Sequence, residues 1–281
     1  MKKVLSILAI TFLSFTLNAQ IETPQASTSG SIEQKVGLTN VEIEYSRPNV
    51  HGRTVFGDLV PYGKIWRTGA NKNTTISFSD DVVVNGQTLK AGKYAIYTKP
   101  EKDSWEIYFY SDTENWGNPE KWDDKKVAAK TTAKVVNLPF EIETFSISVG
   151  NIHADKANLG FLWSNVYVET EINFPTDKKV MASIDAAMKG SPKAEDYIAA
   201  ANYFYNSGKD IQQAKKWFDE GMKLNKEPKF FQLRQQSLIY AKAGDTPGAI
   251  ALAKQSLELA KKAGNADYVK MNEDSIKEWS K

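Results

Sequence analysis

Hydrophobic and polar residues alternate along much of the chain from about residue 31 to residue 174. Val41, Ile43 and Tyr45, for example, are separated by two glutamates. A period of two is typical of strands with one buried face. The same pattern predicts further strands at 76–78, 81–84, 94–98, 105–110, 127–136, 142–149, 157–163 and 166–174. Short strands in this number, with no helical period between them, predict an antiparallel β-sandwich or jelly roll.

One turn of this region has a specific signature. The apolar run 82–84 is followed by Asn85-Gly86. Both positions of a two-residue hairpin turn need positive φ, which asparagine and glycine tolerate best. The pair therefore predicts a tight hairpin.

Beyond residue 174 the period becomes that of helices. Thr176 is expected to cap the first helix, Ser191 precedes a proline at the start of the second, and Asp210 with Gln213 resembles a capping box. The predicted helices cover 176–188, 193–207, 211–225, 228–243, 247–263 and 266–280. The predicted fold class is therefore α+β in separate domains, with an all-α array of helical hairpins after the sandwich.

The helices contain an internal repeat. Tyr205, Asp210, Ala214 and Leu224 recur 35 residues later as Tyr240, Asp245, Ala249 and Leu259. The tyrosine-to-alanine spacing is similar to that of tetratricopeptide repeats, although Asn202 and Ser237 stand where those repeats usually have glycine. A tetratricopeptide-like array predicts a surface for a protein or peptide partner. The alternative is a packing domain that shields one face of the sandwich.

The N-terminus predicts export. Two lysines precede an apolar run that ends at Leu17, and Ala19 offers a cleavage site before Gln20. The run is shorter than the roughly 20 residues that span a bilayer, so we expect no membrane insertion after cleavage. The predicted organisation is a signal peptide at 1–19, a flexible leader at 20–30, the sandwich at 31–174 and the helical domain at 175–281.

Composition excludes several classes of function. The chain has 36 basic and 34 acidic side chains, which gives no sign of a nucleic-acid-binding surface. It has no cysteine, so disulfides, thiol nucleophiles and thiolate metal sites are excluded. The two histidines, His51 and His153, lie in none of the usual ligand spacings. We therefore expect no metal and no cofactor.

Arginine is concentrated in one segment, residues 45–71. The chain has four arginines against 32 lysines, and Arg47, Arg53 and Arg67 lie within 21 residues, with His51 among them. The planar guanidinium grips carboxylate or phosphate with two hydrogen bonds, which lysine does not. This local preference predicts a site for an anionic ligand. The alternative is that the arginines fasten the backbone of a long loop to its surroundings.

The candidate ligand-binding residues are Arg47, His51, Arg53, Trp66, Arg67, Asn71 and Trp116. An exposed Trp116 would stack on a sugar ring, whereas the alternative is that Trp116 and Trp122 fill the space between their loop and the core. His51 and Asp58 would form an acid–base pair if the protein were a hydrolase. No residue is assigned as catalytic.

The same segment carries a family resemblance. Its features are Ser46-Arg-Pro, Gly52-Arg, the run Phe56-Gly-Asp-Leu-Val-Pro-Tyr-Gly-Lys-Ile-Trp-Arg-Thr-Gly-Ala-Asn71, and then Ala91-Gly-Lys-Tyr94 and Trp116-Gly. Over about residues 28–173 the chain resembles a family of secreted bacterial proteins, the domain of unknown function DUF2911. The resemblance implies a bacterial periplasmic or extracellular setting, and it implies no activity.

These observations lead to one expected function and two alternatives. The expected function is that of a non-catalytic, exported two-domain protein whose helical repeats bind a protein or peptide. The first alternative is a module that binds an anionic or carbohydrate ligand at the arginine-rich loop 45–71. The second alternative is a hydrolase that uses His51.

Overall fold

The computed structural model describes residues 23–281. The chain divides between Pro175 and Thr176 into two compact units. We call residues 23–175 the sheet unit and residues 176–281 the helical unit. The predicted signal peptide, residues 1–19, lies outside the described residues.

The sheet unit is built on nine antiparallel strands within its described residues. They are β1 (Thr28–Val36), β2 (Thr39–Arg47), β3 (Thr75–Phe78), β4 (Val82–Val84), β5 (Gln87–Leu89), β6 (Gly92–Pro100), β7 (Ser104–Tyr110), β8 (Val127–Gly150) and β9 (Lys156–Asn173). Their order across the sheet is β1-β2-β3-β6-β7-β8-β9-β4-β5. The predicted antiparallel architecture is confirmed.

Two strands are much longer than predicted. The predicted strands 127–136 and 142–149 are parts of β8, and the predicted strands 157–163 and 166–174 correspond to the single strand β9. Alternation lapses near Pro139 and Ser164, where the β8–β9 register shifts after Asn137 and again after Ile142. A proline is tolerated at such an irregularity because the ladder is already interrupted there. The prediction of four separate strands was therefore wrong.

The beginning of the sheet also differs from expectation. β1 starts at Thr28, so the last three residues of the predicted leader, 20–30, belong to the sheet. The pairing runs in register from Thr28 opposite Arg47 to Val36 opposite Thr39. β1 was missed because most of its residues are polar and partly exposed at the edge of the sheet.

The Asn85-Gly86 turn is confirmed. Val84 pairs with Gln87 across it, and the φ angles of Asn85 and Gly86 are 49° and 74°. Both residues thus adopt the left-handed conformation that the hairpin requires.

Residues from both ends of the sheet meet in one hydrophobic core. Trp105 and Trp163 are each 2% exposed, as their alternation predicts. Trp105 in β7 packs on Phe161 in β9 with ring centroids 6.3 Å apart, and Phe78 packs on Phe174 at 6.4 Å. The first contact joins strands that are not neighbours in the sheet, and the second joins β3 to the residue that follows β9, which is the packing of two facing layers.

The helical unit has six helices, and each predicted helix is confirmed to within two residues at both ends. They are α1 (Thr176–Lys189), α2 (Ala194–Asn206), α3 (Ile211–Leu224), α4 (Phe230–Lys242), α5 (Thr246–Lys262) and α6 (Ala266–Trp279). The largest helix contacts are between α2 and α3 and between α4 and α5, as expected of helical hairpins. None of the helices in residues 23–281 is long and apolar enough to cross a membrane.

Helix starts follow prediction at Asp210, whose carboxylate accepts from two backbone N–H groups of α3. The expected start at Ser191 was wrong. The side chain of Asp196 accepts from the backbone N–H of Lys193 at 2.8 Å, and α2 begins at Ala194. Thr176, expected to be a cap, is the first residue of α1.

The 35-residue repeat corresponds to repeated structure. Asp245 caps α5 as Asp210 caps α3, and the equivalent alanines Ala214 and Ala249 are both fully buried. Gly208 and Gly244, which follow α2 and α4, have φ of 65° and 85°. Repeated residues therefore perform the same structural task in the two hairpins.

Candidate functional site

The arginine-rich segment connects β2 to β3, and β6 holds it in place. Trp66 and Thr98 exchange two backbone hydrogen bonds of 2.7 and 2.9 Å, and the N–H of Gly63 donates to the carbonyl of Pro100. The long connection is thus tied to a central strand. A loop fixed in this way presents its side chains in defined positions.

Trp66 anchors the middle of the segment in the core. Its ring stacks on Trp163 with centroids 5.7 Å apart, and its Nε1 donates to the carbonyl of Gly69 at 3.1 Å. Trp66 is 9% exposed. Most of this ring is therefore structural, and one part of it lines the surface described below.

Arg47 fastens the start of the segment to β8. Its Nε donates to the carbonyl of Phe145 at 3.1 Å, and its Nη2 donates to Oγ of Ser146 at 2.8 Å. The guanidinium also lies 6.0 Å from the centroid of the Tyr45 ring. These contacts support the fastening alternative for Arg47.

Arg53 is fastened in a more local manner. Its Nε donates to the carbonyl of Val50 at 2.9 Å, and its Nη2 donates to the carbonyl of Asn49 at 2.6 Å. The residue is nevertheless exposed. Its guanidinium therefore holds the loop and also remains open to a ligand.

Arg67 differs from both. It is half-buried, its Nε is buried without a hydrogen-bond partner, and among the described residues its guanidinium forms no ion pair. A Cβ on Gly117 would lie 3.4 Å from Nη1 of Arg67, an ordinary contact, so the loop around Gly117 lies beside the guanidinium, and the φ of 100° at Gly117 favours glycine there. Arg67 is an arginine whose hydrogen-bonding capacity the protein leaves unused.

These residues border a cleft of about 420 Å³, which we call the basic cleft. Its charged or titratable lining residues are His51, Arg53, Lys64 and Arg67, and none of its described lining residues is acidic. Trp66 and other apolar side chains complete the wall. Arg53, Lys64 and Arg67 are positively charged and no acidic side chain lines the described part of the cleft, so the cleft is a region of positive potential that favours an anion.

His51 lies at the rim of the basic cleft. Its backbone N–H donates to Oε1 of Glu143 at 2.9 Å, and its Nδ1 lies 3.9 Å from the same oxygen. No hydrogen bond or ion pair between His51 and Asp58 is found in the described part of the chain. The acid beside His51 is thus Glu143, which sequence reasoning did not select.

The cleft brings together four of the seven candidate residues, namely His51, Arg53, Trp66 and Arg67. Arg47, Asn71 and Trp116 do not line it. Asn71 donates from Nδ2 to the carbonyl of Ser27 at 3.3 Å and to Oγ of Ser46 at 3.4 Å, so its amide joins two segments of backbone.

The two tryptophans of the 110–122 loop behave differently. Trp122 stacks on Tyr110 with centroids 4.7 Å apart and fills the space under the loop. Trp116 is 77% exposed, so the alternative that it packs on the core was wrong.

Among the lining residues that sequence reasoning missed are Lys64 and Asn118. Lys64 resembles the other lysines of the chain, and only its place inside the arginine-rich segment could have indicated it. Asn118 lies far away in sequence, and its Nδ2 donates to the carbonyl of Ile65 at 2.8 Å. No signal in the sequence connects it to the cleft.

A buried tyrosine supports the loop beside Arg67. The hydroxyl of Tyr97 donates to the carbonyl of Gly117 at 3.4 Å. Burial raises the pKa of Tyr97 to about 12, so the hydroxyl keeps its proton at neutral pH. The loop position therefore does not change over the physiological pH range through this group.

Fold and site together define a class of protein: an antiparallel sheet domain with a positively charged surface cleft, followed by helical hairpins. Comparison with known families places the chain more narrowly. It belongs to the DUF2911 family, described as proteins of unknown function, whose sequence profile matches residues 27–172. The match ends before the helical unit begins. A comparison with proteins of curated function found no match.

Proposed function

We propose that this protein is an exported, non-catalytic binding protein whose sheet unit holds a small anionic ligand in the basic cleft. The observation that carries the proposal is Arg67, a half-buried arginine without a protein acceptor in a cleft that has three other basic groups. A position in the periplasm or outside the cell follows from the predicted signal peptide.

The unused guanidinium indicates the chemistry of the ligand. A buried donor without an acceptor costs free energy, and a charged donor costs more than a neutral one. A carboxylate or phosphate would provide the missing acceptor, with a bidentate geometry that suits guanidinium. The volume of about 420 Å³ is within the range of clefts that bind small molecules.

The test uses inorganic phosphate and succinate as probes of the full mature chain. Either anion should raise the melting temperature of the sheet unit, because a ligand selective for the folded state stabilises it by mass action. Arg67→Met should reduce the affinity at least tenfold. Lys35→Met is the matched control, since it removes one charge from an exposed position outside the cleft.

Two results would contradict this function. One is that neither anion binds to the wild-type protein. The other is that Arg67→Met and Lys35→Met weaken binding by the same factor, because the effect would then be one of net charge.

A second candidate function concerns the helical unit, which we propose as a tetratricopeptide-like surface for an acidic protein or peptide. Arg234 in α4 supports it. Its Nη1 is buried without a partner, it lies 5.8 Å from the Trp279 ring centroid, and no acid pairs with it within residues 23–281. Burial lowers the pKa of Arg234. Residues 175–281 have 18 basic and 14 acidic side chains, which favours an acidic partner.

A further inference from the structure

The sheet unit has a second cleft, of about 410 Å³, bordered by β1, β2 and β3. We call it the hydroxyl cleft because four of its lining residues have side-chain hydroxyls on serine or threonine. Its polar lining residues are Ser29, Ser31, Ser46, Thr75, Glu44, Lys72, Lys93, Asn73 and Tyr45. No candidate residue of the sequence analysis is among them.

Charges in the hydroxyl cleft are paired. Lys93 bonds to Glu44 within the cleft, and Lys72 bonds to Glu114 at 3.0 Å. The Lys93 contact lowers the pKa of Glu44, which stays ionised at neutral pH. Since both lysines have acidic partners, this cleft lacks the excess of positive charge that would favour an anion.

One neutral group of the hydroxyl cleft is buried without a hydrogen-bond partner, and two exposed hydroxyls have no protein partner within residues 23–281. Asn73 is 3% exposed, and neither its Oδ1 nor its Nδ2 has a hydrogen-bond partner. The hydroxyls of Ser29 and Ser31 form no hydrogen bond within the described part of the chain. Buried polar groups are satisfied in the great majority of cases, so an unpaired amide requires an explanation.

These groups suit a polyhydroxylated ligand. An amide and hydroxyl groups both donate and accept hydrogen bonds, and so does each hydroxyl of a sugar. A neutral sugar brings no net charge, which agrees with the paired lysines. An anion, by contrast, would meet the Glu44 carboxylate.

The two clefts are neighbours. Asn71 joins them, because its Nδ2 contacts the carbonyl of Ser27, which lines the basic cleft, and Oγ of Ser46, which lines the hydroxyl cleft. The backbone continues from Ala70 on one side to Lys72 on the other. The two clefts therefore lie on either side of Asn71.

We propose that the hydroxyl cleft binds the neutral sugar unit of an acidic saccharide whose anionic group occupies the basic cleft. The inference rests on the proposed anion-binding function. It assigns Asn71 to the wall between the subsites, and Asn73, Ser29 and Ser31 to the recognition of sugar hydroxyls.

The experiment compares three probes by calorimetry on the full mature chain: glucuronate, N-acetylglucosamine, and the disaccharide of the two. The wild-type protein should bind the disaccharide at least tenfold more tightly than glucuronate. Asn73→Leu, which keeps the branched shape and the number of side-chain heavy atoms and removes the amide, should abolish this advantage and leave glucuronate affinity unchanged. The double variant Ser29→Ala with Ser31→Ala, at exposed positions, should act in the same direction and serves if Asn73→Leu does not fold.

The outcomes separate the inference from the function on which it rests. Equal affinity of the wild-type protein for the disaccharide and for glucuronate would overturn the inference. It would also be overturned if Asn73→Leu and the double serine variant each lost affinity for the disaccharide and for glucuronate by the same factor. Binding of phosphate without binding of glucuronate would overturn the inference and leave the anion-binding function in place. Failure of phosphate, succinate and glucuronate alike would overturn both.

Discussion

Arg47 and Arg67 belong to the same segment of chain, and the protein uses them in opposite ways. Arg47 donates two hydrogen bonds to β8, at Phe145 and Ser146. Arg67 has no protein acceptor, and its Nε is buried. A guanidinium with satisfied donors contributes to the fold. One whose donors are unsatisfied costs stability, which is the behaviour expected of a binding site.

The largest expected difference between these two arginines is in the free energy of unfolding of their methionine variants. Arg47→Met removes two hydrogen bonds from a charged donor and leaves the Phe145 carbonyl without that donor. We expect the free energy of unfolding of the sheet unit to fall by about 3 kcal/mol. Arg67→Met breaks no hydrogen bond to protein, so its free energy of unfolding should stay within about 0.5 kcal/mol of wild type or rise.

The measurement is denaturant unfolding of the full mature chain, followed separately by tryptophan fluorescence and by helical circular dichroism. The two signals are needed because the sheet and helical units can unfold in separate transitions. An equal loss of stability in Arg47→Met and Arg67→Met would contradict the comparison, since it would make Arg67 structural as well.

The sequence predicted the region of the site, but it could not distinguish the arginine that fastens the fold from the arginine that has no protein acceptor. Scarcity of arginine indicated the segment 45–71 without any knowledge of the fold. The acceptors that separate Arg47 from Arg67 lie in β8, nearly a hundred residues downstream. Such partners depend on tertiary packing. For the same reason no signal in the sequence indicated Asn73.

The fold itself was predictable to different degrees in the two units. Helix bounds followed mainly from the local period, because the contacts that form a helix are local, whereas of the predicted caps only Asp210 was correct. β8 was divided in two because Pro139 interrupts the pattern, whereas pairing with β9 resumes beyond it. Pairing of β1 is decided by the neighbouring β2, and its own polar residues give a weak signal.

Arg234 extends the comparison to the helical unit, with a smaller expected effect. Like Arg67, it has a buried guanidinium nitrogen without a partner. Arg234→Met should weaken binding of a short oligoglutamate peptide about tenfold, or about 1.4 kcal/mol, and should leave the stability of the helices nearly unchanged. Fluorescence anisotropy measures the affinity for the oligoglutamate peptide, with oligoglutamine as the uncharged comparison peptide.

The matched control for Arg234 is Lys254→Met, which removes one charge from an exposed position on α5. A loss of helical stability in Arg234→Met with unchanged peptide binding would show that Trp279 is the true partner of this arginine. The acidic-partner function would then be wrong.

Replacement of Glu106 should have the smallest effect on stability. Glu106 is the opposite of Arg67, because its carboxylate has hydrogen-bond partners within the protein. Its Oε1 accepts from Lys130 at 3.0 Å, and its Oε2 accepts from Lys99 at 3.1 Å and from the Tyr108 hydroxyl at 2.9 Å. The hydrogen bond from Lys130 is the largest cause that lowers the pKa of Glu106 to about 2. Paired charges of this kind should stabilise the fold, whereas Arg67 should not.

A carboxyl whose folded-state pKa lies below its unfolded value stabilises the fold above the unfolded pKa and loses that contribution as pH falls. For Glu106 the loss should occur between pH 4.5 and about 2. Because the side chain is 28% exposed, solvent screening limits the contribution to about 1 kcal/mol or less.

Glu106→Gln should therefore be less stable than wild type at neutral pH and equally stable near pH 2, as measured by denaturant titrations across this range. Glu33→Gln, at an exposed position on β1, is the matched control. If the stability difference between Glu106→Gln and wild type stayed constant with pH, the ion pairs of Glu106 would contribute nothing to the free energy of unfolding. The presence of an ion-pair partner would then not distinguish structural charges from binding charges in this protein.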